Sequence, residues 1–175
     1  SNQLVSSIMA NTHIPVMGHA DGICAVYVDE SACAKTAVRV IVDSKTDYPV
    51  ACNAAETLLL HRATLTTVFP QVASALVDAG VSLRLDTASH AVAKELLPAA
   101  AAAGTLSRAT EADYVTEFGS LTIAVRCVDS TTEAIAHINE HGSHHTDAIV
   151  SRDEGSIRRQ PPHQTSPTAG LCDVT

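Results

Sequence analysis

Cysteine is the strongest nucleophile among the ordinary side chains, and this chain has five, at positions 24, 33, 52, 127 and 172. Cys52 stands apart, because Lys45-Thr46-Asp47-Tyr48-Pro49-Val50-Ala51-Cys52-Asn53 is a short, Pro-stiffened loop between regular elements. Thiolates attack electrophilic carbon far better than hydroxyls do, and loops carried on a rigid scaffold are where catalytic groups gather. The competing reading is a small apolar residue closing the core, since free cysteine is among the most buried residue types. Cys24 and Cys127 fall inside the apolar runs 23–28 and 121–128, which marks both as buried strand residues. The odd number and the lack of C-x-x-C spacing speak against a complete disulfide set or a zinc ribbon.

The second dense set of chemical groups is His141-Gly142-Ser143-His144-His145-Thr146-Asp147. Imidazoles and a carboxylate are metal ligands, but no second cluster of matching ligands accompanies them. A polar loop between helix and strand is the stronger reading, and no metal site is assigned.

The elements that must position these groups alternate along the chain. Residues 23–28 read as a strand covered on both faces. Ala34, Ala37, Val38, Ile41 and Val42 form one helical stripe, which must end before Pro49 because the ring disfavours helical geometry at Tyr48. Cys52 therefore sits between a helix exit and a strand over 57–61. Val68, Val72, Ala75, Leu76 and Ala79 give a second stripe stopped by Gly80. Residues 81–86 alternate with period two, a half-exposed strand. A short helix is expected over 91–97, then an alanine-rich stretch broken by Pro98 and Gly104. A strand over 121–128 leads to Ser130-Thr131-Thr132-Glu133, a capping box opening a helix to His141, and 148–150 is a last strand. Strands separated by helices predict an α/β fold with a substantially parallel sheet and flanking helices.

With 175 residues, 46% of them hydrophobic, the chain has material for one real core. A net charge of −8 without a basic cluster argues against nucleic acid or an anionic membrane as partner. Only 3% of residues are aromatic, so stacking platforms for bases are lacking. No apolar span reaches the roughly 18 residues of a membrane helix, and no signal peptide is recognisable. A reducing, cytoplasmic setting is expected.

Several motifs, in order, resemble γ-glutamyl phosphate reductase, the glutamate-5-semialdehyde dehydrogenase of proline biosynthesis, within the aldehyde-dehydrogenase-like superfamily. They are Ile14-Pro15-Val16, Gly18-His19-Ala20-Asp21-Gly22-Ile23-Cys24, Tyr27-Val28-Asp29, the cysteine loop with Glu56-Thr57-Leu58-Leu59, Glu117-Phe118 with Ser120-Leu121, and Asp129 through His137 to Ile149. The resemblance implies NADPH-dependent reduction of L-glutamyl 5-phosphate to L-glutamate 5-semialdehyde through a thioester on Cys52. It also implies a likeness of residues 1–157 to the cysteine-bearing catalytic domain, with NADPH held mainly by a separate domain upstream. Gly18-His19-Ala20-Asp21-Gly22 precedes a strand instead of following one, so it is no dinucleotide fingerprint.

In that chemistry the Cys52 amide and Asn53 are candidate oxyanion donors, Asn53 reading equally as a turn residue bonded to its own backbone. His145 becomes a candidate for contacting substrate or ordering the site. The matching region near Gly18 and His19 has no carboxylate before Asp21 to activate water, which suits passing the acyl group to hydride. Implied partners are the small-molecule substrate, the glutamate kinase that makes it, and further copies of the full-length chain. Residues 158–175 depart from the family and read as an irregular, Pro-rich tail. Two alternatives remain open: a non-catalytic remnant or interaction module with the same fold, and a related acyl-CoA reductase.

Overall fold

The computed structural model describes residues 2–14 and 21–158, so Gly18, His19, Cys172 and the tail after Arg158 lie outside the described residues. An N-terminal helix α1 (Asn2–Asn11) is followed by β1 (Cys24–Val28), α2 (Ala34–Thr46) and β2 (Ala55–His61). Then come α3 (Phe69–Asp78), β3 (Ser82–Leu85), α4 (Thr87–Leu96), α5 (Pro98–Ala102), β4 (Leu106–Arg108), β5 (Thr122–Val128), α6 (Thr131–His141), β6 (Ala148–Val150) and α7 (Glu154–Arg158). The strands form one sheet in the order β4-β3-β5-β2-β1-β6. Every neighbouring pair in it is parallel. The α/β expectation therefore holds.

Alternation of side chains along central strands supplies two cores. Val26, Val28, Leu58, Leu60, Leu83, Leu85, Ile123 and Val125 face Ala37 and Ile41 of α2, Phe69, Val72, Ala73 and Leu76 of α3, and Ala93 of α4. Ala25, Tyr27, Leu59 and Ile149 face the other way, onto Ala134 and Ile138 of α6. Leu58, Leu59 and Leu60 are all fully buried, which is why this stretch of β2 carries no polar alternation. Each such side chain contributes about 1.5–3 kcal/mol by leaving water.

Local chemistry sets the element ends. Helix α2 stops at Thr46, three residues before Pro49, and Gly80 after α3 adopts φ +80°, a conformation that L side chains resist. Helix α4 starts four residues earlier than its apolar stripe suggests, because the Asp86 carboxylate accepts from Ser89 N at 2.8 Å and caps it. The alanine-rich stretch folds as α5. Strand β4, a 3-10 turn at Glu111–Val115 and α1 arise where periodicity marks no element. At α6 the Ser130 hydroxyl accepts from Glu133 N as expected, but the Glu133 carboxylate reaches back to Asp129 N at 2.7 Å, one residue before the reciprocal capping-box donor. Helix α7 runs across the 157/158 boundary expected for the tail.

Candidate active site

In a parallel sheet the strands share one amino end, and the sequence-selected residues gather there. Cys52 and Asn53 precede β2, Gly22 precedes β1, and His145 and Asp147 precede β6. The segment 47–54 folds as two successive turns, closed by Ala51 N donating to Tyr48 O at 3.0 Å and Ala54 N to Ala51 O at 3.0 Å. Cys52 and Asn53 are exposed, as are the flanking Tyr48 and Val50. The core-closing reading of Cys52 therefore fails: its side chain is presented to solvent.

The turn rests on a floor made by the Gly22 backbone. A Cβ built on Gly22 would lie 2.7 Å from Cys52 Cα and still closer to its carbonyl oxygen. Only glycine lets the two backbones approach so closely. Beside it the Cys24 thiol donates to the Cys52 carbonyl at 3.3 Å. Burial pushes the Cys24 thiol up to about 12, so this sulfur acts as a weak donor and not as a nucleophile. Cys127, also buried, is likewise raised to about 12.

The 143–147 loop is sewn onto the same end. Ile23 N donates to the Ser143 hydroxyl at 2.9 Å, and Ala25 N donates to the buried Asp147 carboxylate at 2.8 Å. His145 Nδ1 lies 3.9 Å from Cys24 Sγ and 2.9 Å from Thr146 Oγ1. His145 thus stands against Cys24, which in turn bonds the Cys52 backbone. Among the described residues no three His, Cys, Asp or Glu side chains come together as a metal-holding group.

Asn53 lines a cavity of about 370 Å³ with Cys24, Ala25, Thr36, Val40, Thr146 and their neighbours. No side-chain hydrogen bond ties Asn53 to its own turn among the described residues, whose closure is made by backbone groups. That leaves its amide available at the mouth of a partly apolar recess.

Both ends of the turn are anchored from beneath. Lys45, in the last turn of α2, bonds the Glu56 carboxylate of β2 at 2.7 Å, with side chains 0% and 1% exposed. Burial pushes the Lys45 amine down and the Glu56 carboxyl up, while their mutual bond opposes both. Breaking such a pair by removing one partner costs about 3–5 kcal/mol. Both residues fall within the motifs that carry the family resemblance, but nothing in the sequence marks them as a pair.

One further thiol was not singled out in the sequence. Cys33, half-buried at the N-cap of α2, faces the first-turn amides of Thr36 and Lys35, which lower its thiol below the ordinary value without closing a side-chain cap. It stands at the carboxyl end of β1, the far end of the sheet from Cys52.

No glycine occupies a strand-to-helix turn among the described residues: 29–33, 62–68, 129–130 and 151–153 contain none, and Asp86 alone joins β3 to α4. A pyrophosphate cradle of the usual type does not fit this part of the chain.

The comparisons agree with the motifs. No protein-family model matches the chain. The γ-glutamyl phosphate reductase of Synechococcus elongatus is 52% identical over 153 residues, covering 87% of this chain and 33% of the relative. The crystal structure of the Thermotoga maritima γ-glutamyl phosphate reductase superposes with a TM-score of 0.81 at 33% identity, over 91% of this chain and 36% of that one. An acetylating aldehyde dehydrogenase from Geobacillus thermoglucosidasius shares the fold, with TM-score 0.66 at 22% identity over 93% of this chain and 42% of that one. The chain thus spans about a third of the length of the curated relatives it matches.

Proposed function

We propose that this chain, homologous to about a third of γ-glutamyl phosphate reductase, is the cysteine-bearing catalytic segment of such an enzyme, with residues 1–157 as the domain and 158–175 as a divergent tail. The carrying observation is the exposed Cys52 turn, seated on the Gly22 backbone at the amino end of β2.

In this reading the Cys52 thiolate attacks the acyl carbon of L-glutamyl 5-phosphate. A C–S bond forms, the C–O bond to phosphate breaks, and inorganic phosphate leaves with its electron pair. The oxyanion of the tetrahedral intermediate is met by the Cys52 amide and the Asn53 side chain. His145 acts at one remove, by packing on Cys24 and so ordering the Cys52 backbone. NADPH supplies the hydride that takes the thioester to the aldehyde. Since the described residues hold no cradle for it, this reading assigns its binding to the part of the relatives that this chain does not span. The remaining expectations belong to the same reading: a cytoplasmic setting, self-association at full length, and the kinase that makes glutamyl phosphate as a functional neighbour.

Incubating the chain with enzymatically generated L-glutamyl 5-phosphate and mapping adducts by mass spectrometry tests it. A glutamyl thioester on Cys52, with one phosphate released per chain, is the expected result. Acylation only by coenzyme A esters, or no acylation at all, would replace this reading with the acyl-CoA reductase or the interaction module.

A further inference from the structure

Lys45 and Glu56 are the two ionisable side chains most completely removed from water in the described residues, and the acyl-transfer chemistry above uses neither. Their placement is specific. Lys45 is seven residues before Cys52 and Glu56 four after it, so the 2.7 Å bond closes the chain into a ring whose exposed arc is the cysteine turn. The second carboxylate oxygen of Glu56 accepts from Gly119 N at 3.2 Å. Gly119 has φ +55° and belongs to the turn entering β5, the strand next to β2. One carboxylate therefore binds the end of α2 and the entry to β5 from the first turns of β2.

Ordinary packing does not require ions here. Apolar side chains of similar volume commonly replace a buried ion pair at little cost to stability, whereas they cannot reproduce its directional bonds. What the ions add is geometry, two converging hydrogen bonds that fix the ends of a turn otherwise closed only by its own backbone.

We propose that Lys45 and Glu56 are positioning residues for Cys52, a buried ionic staple that holds the cysteine turn and its oxyanion donors in register for attack on an acyl phosphate. The inference rests on the acyl-transfer reading of Cys52. Misplacing a reacting group by about 1 Å costs on the order of 10²-fold in rate, so a loosened turn is read out in acylation before it is read out in folding.

The test compares two reactions of Cys52 in the 175-residue chain. Acylation by acetyl phosphate depends on oriented donors, while alkylation by iodoacetamide depends only on an accessible thiolate. Glu56→Gln and Lys45→Met are expected to slow acylation by about tenfold or more while changing alkylation less than about twofold. Should either single variant fail to fold, the pair Lys45→Met with Glu56→Leu removes both charges together; it should melt cooperatively and remain slow in acylation. Lys45→Arg, which keeps the charge and can still reach Glu56, should recover part of the rate. Parental acylation in any folded variant lacking the pair would overturn the staple and leave the role of Cys52 intact. Absence of acylation in the parent chain would instead sink the acyl-transfer reading on which the staple depends.

Discussion

Cys52 and Cys33 are the two thiols that solvent reaches among the described residues, and they stand at opposite ends of one sheet. Cys33 has favourable electrostatics, a helix N-terminus whose amides lower its thiol. Cys52 has the surroundings: a glycine floor, a neighbouring side-chain amide, a recess and an ionic staple. Parallel α/β sheets usually bind ligands at the carboxyl ends of their strands, the end where Cys33 lies. The difference teaches that a readily ionised thiol and one set among a recess and a neighbouring amide are separate achievements, and that fold position alone would point to the other sulfur from the one proposed above.

The comparison breaks most directly at Cys52 itself. Cys52→Ser should abolish acylation by acyl phosphate, and Cys33→Ser should leave it within about twofold, because Cys33 stands at the far end of the sheet from Asn53 and its recess. Single-turnover phosphate release measures both, and the reverse pattern would move the site to the other end of the sheet.

Gly22→Ala should be the next largest effect. Its Cβ would be driven into the Cys52 backbone, which has no flexible side-chain end to yield. A loss of about 1–3 kcal/mol in stability is expected, with acylation falling further than alkylation. Denaturant melts alongside the two rates check it, and a neutral substitution would mean that the turn is free to lift away.

A third prediction concerns acid. His137 is buried under Tyr114 and stacked on His141 at 4.2 Å, and burial lowers it to about 4. The unfolded chain takes up this proton near 6.5, before the folded one does. The stability contributed by the neutral imidazole is therefore complete above about pH 6.5 and is lost as pH falls toward 4, by roughly 3 kcal/mol in all. Urea melts at pH 7.5 and 5.0, compared with those of His137→Phe, should show a flatter acid limb in the variant. Equal acid sensitivity would assign the effect to other groups.

The smallest effect sharpens the contrast between the thiols. Brief alkylation should label Cys52 and Cys33, with Cys33 staying reactive to a lower pH than an ordinary thiol, and should spare Cys24 and Cys127. Rapid labelling of either strand cysteine would show that the sheet opens on the timescale of the reagent.

Much of this was legible in the sequence for stated physical reasons. The runs in β1, β2 and β5 are long and apolar because both faces are covered, and the α2 and α3 stripes follow one buried face. Cys52 was selected as a reactive side chain on a loop, and His145 through the family resemblance; both lie at the amino end of the sheet. Strand β4 could not be read: it has three residues, of which Leu106 alone is buried. The 3-10 turn at Glu111–Val115 did carry a local signal, Thr110 with Asp113 forming a closed capping box, but no apolar period follows it. The Lys45–Glu56 staple was invisible because a buried lysine and an exposed one look alike in one dimension. Gly22, in a segment that reads as a turn or as lining of the site, carries no one-dimensional sign of the backbone pressed against it.

The sheet also tapers. Its inner strands β1, β2 and β5 have five to seven residues, while the outermost strands, β4 and β6, have three each. A strand added by another molecule would find room for only a few backbone hydrogen bonds at either margin before meeting a helix or a turn. Such short margins give poor templates for growth of the sheet from chain to chain. A protein shaped this way can hold a strongly apolar centre, Leu58-Leu59-Leu60 included, while offering little purchase to fibril formation at high concentration.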